Sequence, residues 1–136
     1  MPVTLLNPDG LTDTDGFRYK QVAIATGSRQ IYIAGQIATD ADGQLVAPGD
    51  LTGQVVQAYR NVGIALAAAG ASFKDLVRLT VYVVDWQPEK IEAFMAGINQ
   101  VAEEFDFSPA PASLIGVAML FEPGVLVEVE ATAVVD

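Results

Sequence analysis

The pattern of apolar and polar positions divides the chain into alternating extended and helical segments. After a short strand at Val3–Leu6, two extended stretches, Gln21–Ala25 and Gln30–Gln36, flank Thr26-Gly27-Ser28-Arg29, and so short a glycine-containing link predicts a hairpin. Within the second stretch Ile31, Ile33 and Gly35 fall on one face and Tyr32, Ala34 and Gln36 on the other. The Asp-, Gly- and Pro-rich segment Thr39–Asp50 reads as loop. From Leu51 to Ala69, Val55, Val56, Tyr59, Val62, Leu66 and Ala69 recur every three or four positions, which predicts an amphipathic helix with Asp50 able to cap its start and Gly70 its end. Leu76–Val84 follows as a β-branched strand, with Val77, Leu79, Val81 and Val83 on one face and Arg78, Thr80, Tyr82 and Val84 on the other. A second helix is predicted from about Pro88 to Glu104, on a stripe of Ile91, Phe94, Met95, Ile98, Val101 and Ala102. Beyond the prolines of Ser108-Pro109-Ala110-Pro111, two more strands, Ser113–Leu120 and Val125–Val135, flank Phe121-Glu122-Pro123-Gly124, a second hairpin signal.

The resulting order, ββ-α-β-α-ββ, shows no internal repeat or long linker. It predicts one α+β domain over residues 1–136, a mixed sheet with both helices on one face. The other face is harder to place. In the last strand Val125, Val127, Val129, Ala131, Ala133 and Val135 form one row, and Leu126, Glu128, Glu130, Thr132 and Val134 a second that is neither core nor ordinary solvent face. A subunit interface with polar positions gathered in a cleft would account for it. Composition agrees, since 51% hydrophobic residues and a mean hydropathy of +0.36 exceed what a small monomer readily buries.

Charge and residue content then narrow the chemistry. Seventeen acids against seven basic residues give a net charge of -10 with no basic cluster, which argues against nucleic acid and anionic membrane surfaces as partners. Without cysteine or histidine, disulfides, thiolate nucleophiles, serine–histidine triads and the usual zinc sites are excluded. The longest uncharged stretch, Phe107 to Phe121, is shorter than the roughly 18 residues that span a bilayer, and a cytoplasmic location is the default expectation.

Carboxylates remain. Glu128 and Glu130 share a strand face about 7 Å apart, either as a charged edge or with one of them positioning or deprotonating a water. Gly35, inside an otherwise good strand, marks either the close approach of a ligand or a bulge or tight subunit contact. Tyr19 is a packing residue or a pocket wall. Among the cations Arg78, on the mixed face of its strand, is the one to watch, with a salt bridge to Glu128 or Glu130 as its ordinary role.

Three blocks carry a resemblance: Ile31 to Ile37, reading Ile-Tyr-Ile-Ala-Gly-Gln-Ile; Gly70 to Asp85; and Gly116-Val117-Ala118 through Leu126-Val127-Glu128-Val129-Glu130-Ala131. They are similar to the blocks of the RidA/YjgF family, over about residues 15 to 135. The resemblance implies a homotrimer whose sheets pack into a central barrel with small-molecule clefts at the subunit junctions. It also implies cofactor-free hydrolysis of enamines and imines, such as 2-iminobutanoate and 2-iminopropanoate, to keto acids and ammonia. By position Glu128 matches the family's water-orienting glutamate, and Tyr19, Ala34, Gly35, Gln36, Ala112, Ser113 and Leu114 match ligand-binding positions. The family's Pro-Ala-Arg-Ser/Thr motif reads Pro109-Ala110-Pro111-Ala112-Ser113 here, so the substrate-gripping arginine is replaced by Ala112 or Ser113. The expectation is a trimer that binds a small enamine- or imine-like metabolite, and that deaminates it, if at all, by a route other than the arginine-dependent one. The alternatives are a deaminase of the usual type, with Arg78 or another cation reaching the cleft, and a non-catalytic metabolite-binding or regulatory trimer.

Overall fold

The predicted strand–helix succession is found in a computed structural model, which describes residues 3–136. A four-stranded mixed sheet is built from β3 (Arg29–Gln36), β4 (Leu76–Val84), β5 (Ala112–Val117) and β6 (Val127–Val135), in the order β3-β6-β4-β5. β6 runs antiparallel to both its neighbours, and β4 and β5 are parallel. α1 (Leu51–Ala68) and α2 (Ile91–Glu104) cover one face. Separately, β1 (Val3–Leu6) and β2 (Val22–Ala25) form an antiparallel pair.

Both helices stand on the apolar stripes read from the sequence. α1 is capped by Asp50, whose carboxylate accepts from the Gly53 N–H at 3.0 Å, and Gly70 follows the helix with φ 77, a left-handed conformation that glycine adopts without strain. Pro88–Lys90 forms a 3-10 turn ahead of α2, so that helix begins three residues later than the stripe suggested. Val55, Val62 and Leu66 of α1 and Ile98 and Val101 of α2 pack on Leu79, Val81, Val127, Val129 and Ala133 of the sheet, all buried. Buried Gln54 ties this core to the approach to β6, donating to the carbonyls of Ala47 and Gly124 and accepting from the Leu126 N–H at 2.9 Å.

Neither predicted hairpin forms. β2 pairs with β1 rather than with β3, whose ladder partner is β6, and β4 lies between β5 and β6. The physical reason for the second correction is the β4-α2-β5 succession, in which a strand returns through a helix to a parallel neighbour. That crossover places β5 at the sheet edge, and the Phe121–Gly124 turn spans to β6 on the far side of β4.

The uncovered face carries a polar centre. Cross-strand register sets Tyr32 beside Thr132, and Thr132 beside Arg78. The next row is Glu130, Thr80 and Ser113, and the one after it Glu128, Tyr82 and Ile115. Tyr32 is 73% exposed and Ile115 43%. Among the described residues, no helix is long and apolar enough to cross a membrane.

Candidate functional site

The residues singled out from the sequence gather in two places on opposite sides of the sheet. Tyr19, Ala112, Ser113 and Leu114 line a cavity of about 300 Å³ between β5 and α2. Ala112 and Leu114 stand in register with buried Leu79 and Val81, so they belong to the helix-covered face. Ile91, Met95 and Ile98 of α2, with Phe17 and Phe107, supply an apolar wall. The loop bearing Tyr19 is held at both ends: the Thr14 hydroxyl donates to the Tyr19 carbonyl, and the Lys20 N–H donates to Pro109 O at 2.8 Å.

The second gathering is on the uncovered face. Ile33 pairs with Ala131 and Gln36 with Val129, leaving Ala34 and Gly35 together opposite Glu130. This is a β-bulge. It corrects the simple alternation, because the extra residue turns Gly35 away from the Ile31 and Ile33 face and onto Glu128. A Cβ on Gly35 would lie 2.6 Å from the Glu128 carboxyl carbon, so the missing side chain is the space through which that carboxylate passes. The bulge that the sequence offered is present, and what approaches Gly35 closely is the Glu128 side chain. Ala34 is exposed beside it, and Gln36 turns back to donate to the Ala34 carbonyl at 3.0 Å.

The two glutamates differ in their surroundings. Tyr82 donates its hydroxyl to Glu130 Oε1 at 2.6 Å, whereas the Glu128 carboxylate has no hydrogen-bond partner among the described residues. That bond, with a smaller contribution from burial, pushes the Tyr82 hydroxyl above the usual tyrosine range, since a proton shared with a carboxylate is hard to remove. A group whose folded value is raised contributes stability below its unfolded value near 10, and that contribution is lost as the pH climbs through the folded value. Ultraviolet titration of the four tyrosines should therefore show Tyr82 ionising late, and Glu130→Gln should bring it back toward the ordinary range. An unchanged titration in the variant would show that the carboxylate is not the cause.

Arg78 makes no salt bridge to Glu128 or Glu130; its Nη2 donates to Ser113 Oγ at 2.7 Å. Ser113 pairs with Thr80, so this contact lies on the uncovered face, with the sheet between it and the wall formed by Ala112 and Leu114. Among the other cations available from the sequence, Arg18, next to Tyr19, does reach the cavity and contributes to its lining. Arg18 sits in a turn with nothing in its residue pattern to set it apart, and the only local signal was its neighbour Tyr19.

One chain does not bring Glu128 to the cavity. Two strand spacings and a two-residue offset separate Ser113 from Glu128 by about 12 Å, and the sheet divides Glu128 from the cavity wall formed by Ala112 and Leu114. A water held by Glu128 and a ligand in the same chain's cavity could not meet.

Comparison with known proteins bears on this arrangement. A family model described as Endoribonuclease L-PSP matches residues 16–135. A 2-iminobutanoate/2-iminopropanoate deaminase of Capra hircus is 38% identical over 117 residues, which cover 85% of this chain and 79% of the relative. The protein of the same description from Homo sapiens is 33% identical over the same shares. Among solved structures, the Rid-family protein YyfB of Yersinia pestis superimposes with a TM-score of 0.91 at 36% identity, over 99% of this chain and 100% of that one. E. coli TdcF, solved with bound serine, gives 0.69 at 26% identity, over 88% and 95%. With a family model spanning nearly its whole length and a full-length structural match of this quality, the chain belongs to the Endoribonuclease L-PSP family, that of the RidA/YjgF proteins.

Proposed function

We propose that this protein hydrolyses a small imine or enamine to a carbonyl compound and ammonia, in clefts where the cavity of one copy meets Glu128 of another within a trimer. The observation that carries this reading is the state of Glu128. Its carboxylate lies across a glycine bulge without a hydrogen-bond partner among the described residues, while neighbouring Glu130 is engaged by Tyr82. A carboxylate so placed is suited to hold a water and take its proton. As the water oxygen bonds to the imine carbon, the C=N π pair moves to nitrogen and Glu128 accepts the proton. Glu128 returns that proton to nitrogen, giving the carbinolamine, which then collapses: Glu128 carries the hydroxyl proton to nitrogen, the C–N bond breaks, and ammonia leaves as the C=O bond forms. Imine and water are consumed, carbonyl and ammonia produced, and no cofactor enters the balance.

The same geometry supports an oligomeric site, since the cavity and Glu128 of one chain stand on different sides of its sheet. The uncovered face, with Tyr32 and Ile115 exposed around a polar centre, suits a partner copy. A small-molecule substrate also fits the net charge of -10, which opposes binding of RNA despite the family model's description.

Substrate choice should differ from that of a protein with the motif arginine. At Ala112 no bidentate clamp is available, and the surrounding wall is apolar. With imines generated in situ by an L-amino-acid oxidase, ammonia release should be accelerated more for the imine derived from leucine than for 2-iminobutanoate. Preference for 2-iminobutanoate would show that the apolar wall does not choose the substrate. Acceleration of neither would remove the hydrolase reading, and ligand binding without turnover would favour a metabolite-binding trimer.

A further inference from the structure

The cavity has an apolar wall and one guanidinium, Arg18, among its lining residues. Three features fix that guanidinium. Its Nε donates to Asn99 Oδ1 of α2 at 2.6 Å, one turn beyond cavity-lining Met95. The loop is anchored on either side of Arg18, by Thr14 to the Tyr19 carbonyl and by the Lys20 N–H to Pro109 O. Finally, Arg18 takes φ 59, a left-handed conformation uncommon for a long side chain, which a structure retains only when the surroundings impose it. Among the described residues the terminal nitrogens Nη1 and Nη2 make no hydrogen bond or ion pair. Asp15, which shares an adjoining hollow with Arg18, is paired with Lys20 at 2.6 Å rather than with Arg18.

Resting on the hydrolase reading of the same cavity, we propose that Arg18 receives the substrate's carboxylate, with the hydrocarbon side chain of that substrate against Ile91, Met95 and Phe107. Two terminal N–H groups of a guanidinium whose Nε is already tied to Asn99 present a planar fork to a carboxylate. The site thereby takes acids with a branched or aromatic side chain: too large an apolar surface to leave in water, and one negative charge at the cavity mouth. The motif arginine is then replaced from the Tyr19 loop rather than simply lost. Arg78 cannot take this part within one chain, because its guanidinium is on the other face of the sheet, held by Ser113.

Binding separates this proposal from the question of turnover. The probes are 4-methyl-2-oxopentanoate, its uncharged methyl ester and the shorter 2-oxobutanoate, measured by calorimetry on the intact protein. The wild-type protein is expected to bind the branched acid at least about tenfold more tightly than the ester, and several-fold more tightly than 2-oxobutanoate. In Arg18→Met the acid should fall to the affinity of the ester while the ester is unchanged. Arg18→Gly should do the same, and because glycine adopts φ 59 without strain it keeps the loop in place should methionine disturb it. Arg78→Met should preserve the ratio. Survival of the acid-to-ester ratio in both Arg18 variants, its collapse in Arg78→Met instead, or no measurable binding of the branched acid would each overturn the proposal. Binding through Arg18 with no imine turned over would leave it standing and remove the hydrolase reading. Turnover with an Arg18-independent ratio would do the reverse.

Discussion

Glu128→Gln is expected to lower kcat for imine hydrolysis by about 10³-fold, roughly 4 kcal/mol in the barrier, with KM changed only a few-fold. The amide has the size of the carboxylate and can keep the same packing on Gly35, so the fold and the cavity should be undisturbed. What is lost is the ability to accept a proton from water as the C–O bond forms. Glu130→Gln is the matching control. Its carboxylate is already committed to the Tyr82 hydroxyl at 2.6 Å, so the rate should fall less than about tenfold. Equal losses in the two variants, or none in Glu128→Gln, would mean that the water is held elsewhere. Steady-state ammonia release with both variants decides the matter.

The second large effect comes from a residue without a side chain. Gly35→Ala puts a methyl group 2.6 Å from the Glu128 carboxyl carbon and 2.9 Å from Oε1, inside any permitted contact, so the carboxylate must swing away. We expect kcat to fall by about 10²-fold. Stability should change by less than about 1 kcal/mol, because the atoms that yield are the far end of a flexible side chain and Gly35 does not occupy a positive φ. The two substitutions should not add: in a Glu128→Gln background, where there is no base to displace, Gly35→Ala should cost little further rate. Full additivity would indicate that Gly35 acts independently of Glu128.

The elements of this fold are legible in the sequence because their signals are local. A three-to-four spacing of Val55, Tyr59, Val62 and Leu66 can be satisfied only by a helix against a core, and Leu79, Val81 and Val83 only by a strand with one buried face. Strand pairing is another matter. A short link with glycine suggests a hairpin, but which edge β2 and β5 join depends on contacts remote in sequence, such as those of β1 with β2 and of β4 with β6. The strand–helix–strand order from β4 to β5 did hold the clue to a parallel pair. For the site, Gly35 and Glu128 could be singled out because glycine in a strand and a carboxylate in a strand of mostly apolar residues each break a pattern. The glycine pointed to a bulge, but that the bulge faces Glu128 depends on the remote pairing of β3 with β6. Arg18 had no local signal beyond its neighbour Tyr19, since its importance comes from Asn99 on α2 and the wall of the cavity, both some eighty residues away along the chain.

The central claim is that a working site combines the cavity of one copy with Glu128 of another. Co-expression of two disabled chains tests it directly: Glu128→Gln, which lacks the base but keeps the cavity, and Ala112→Trp, which fills the cavity but keeps the base. Each alone should be nearly inactive. In randomly mixed trimers about a quarter of the junctions would pair an open cavity with an intact glutamate, so up to about a quarter of the wild-type rate should return. Failure of the co-expressed chains to exceed the parents, once mixed assemblies have been shown to form, would place the whole site within one chain and contradict the account.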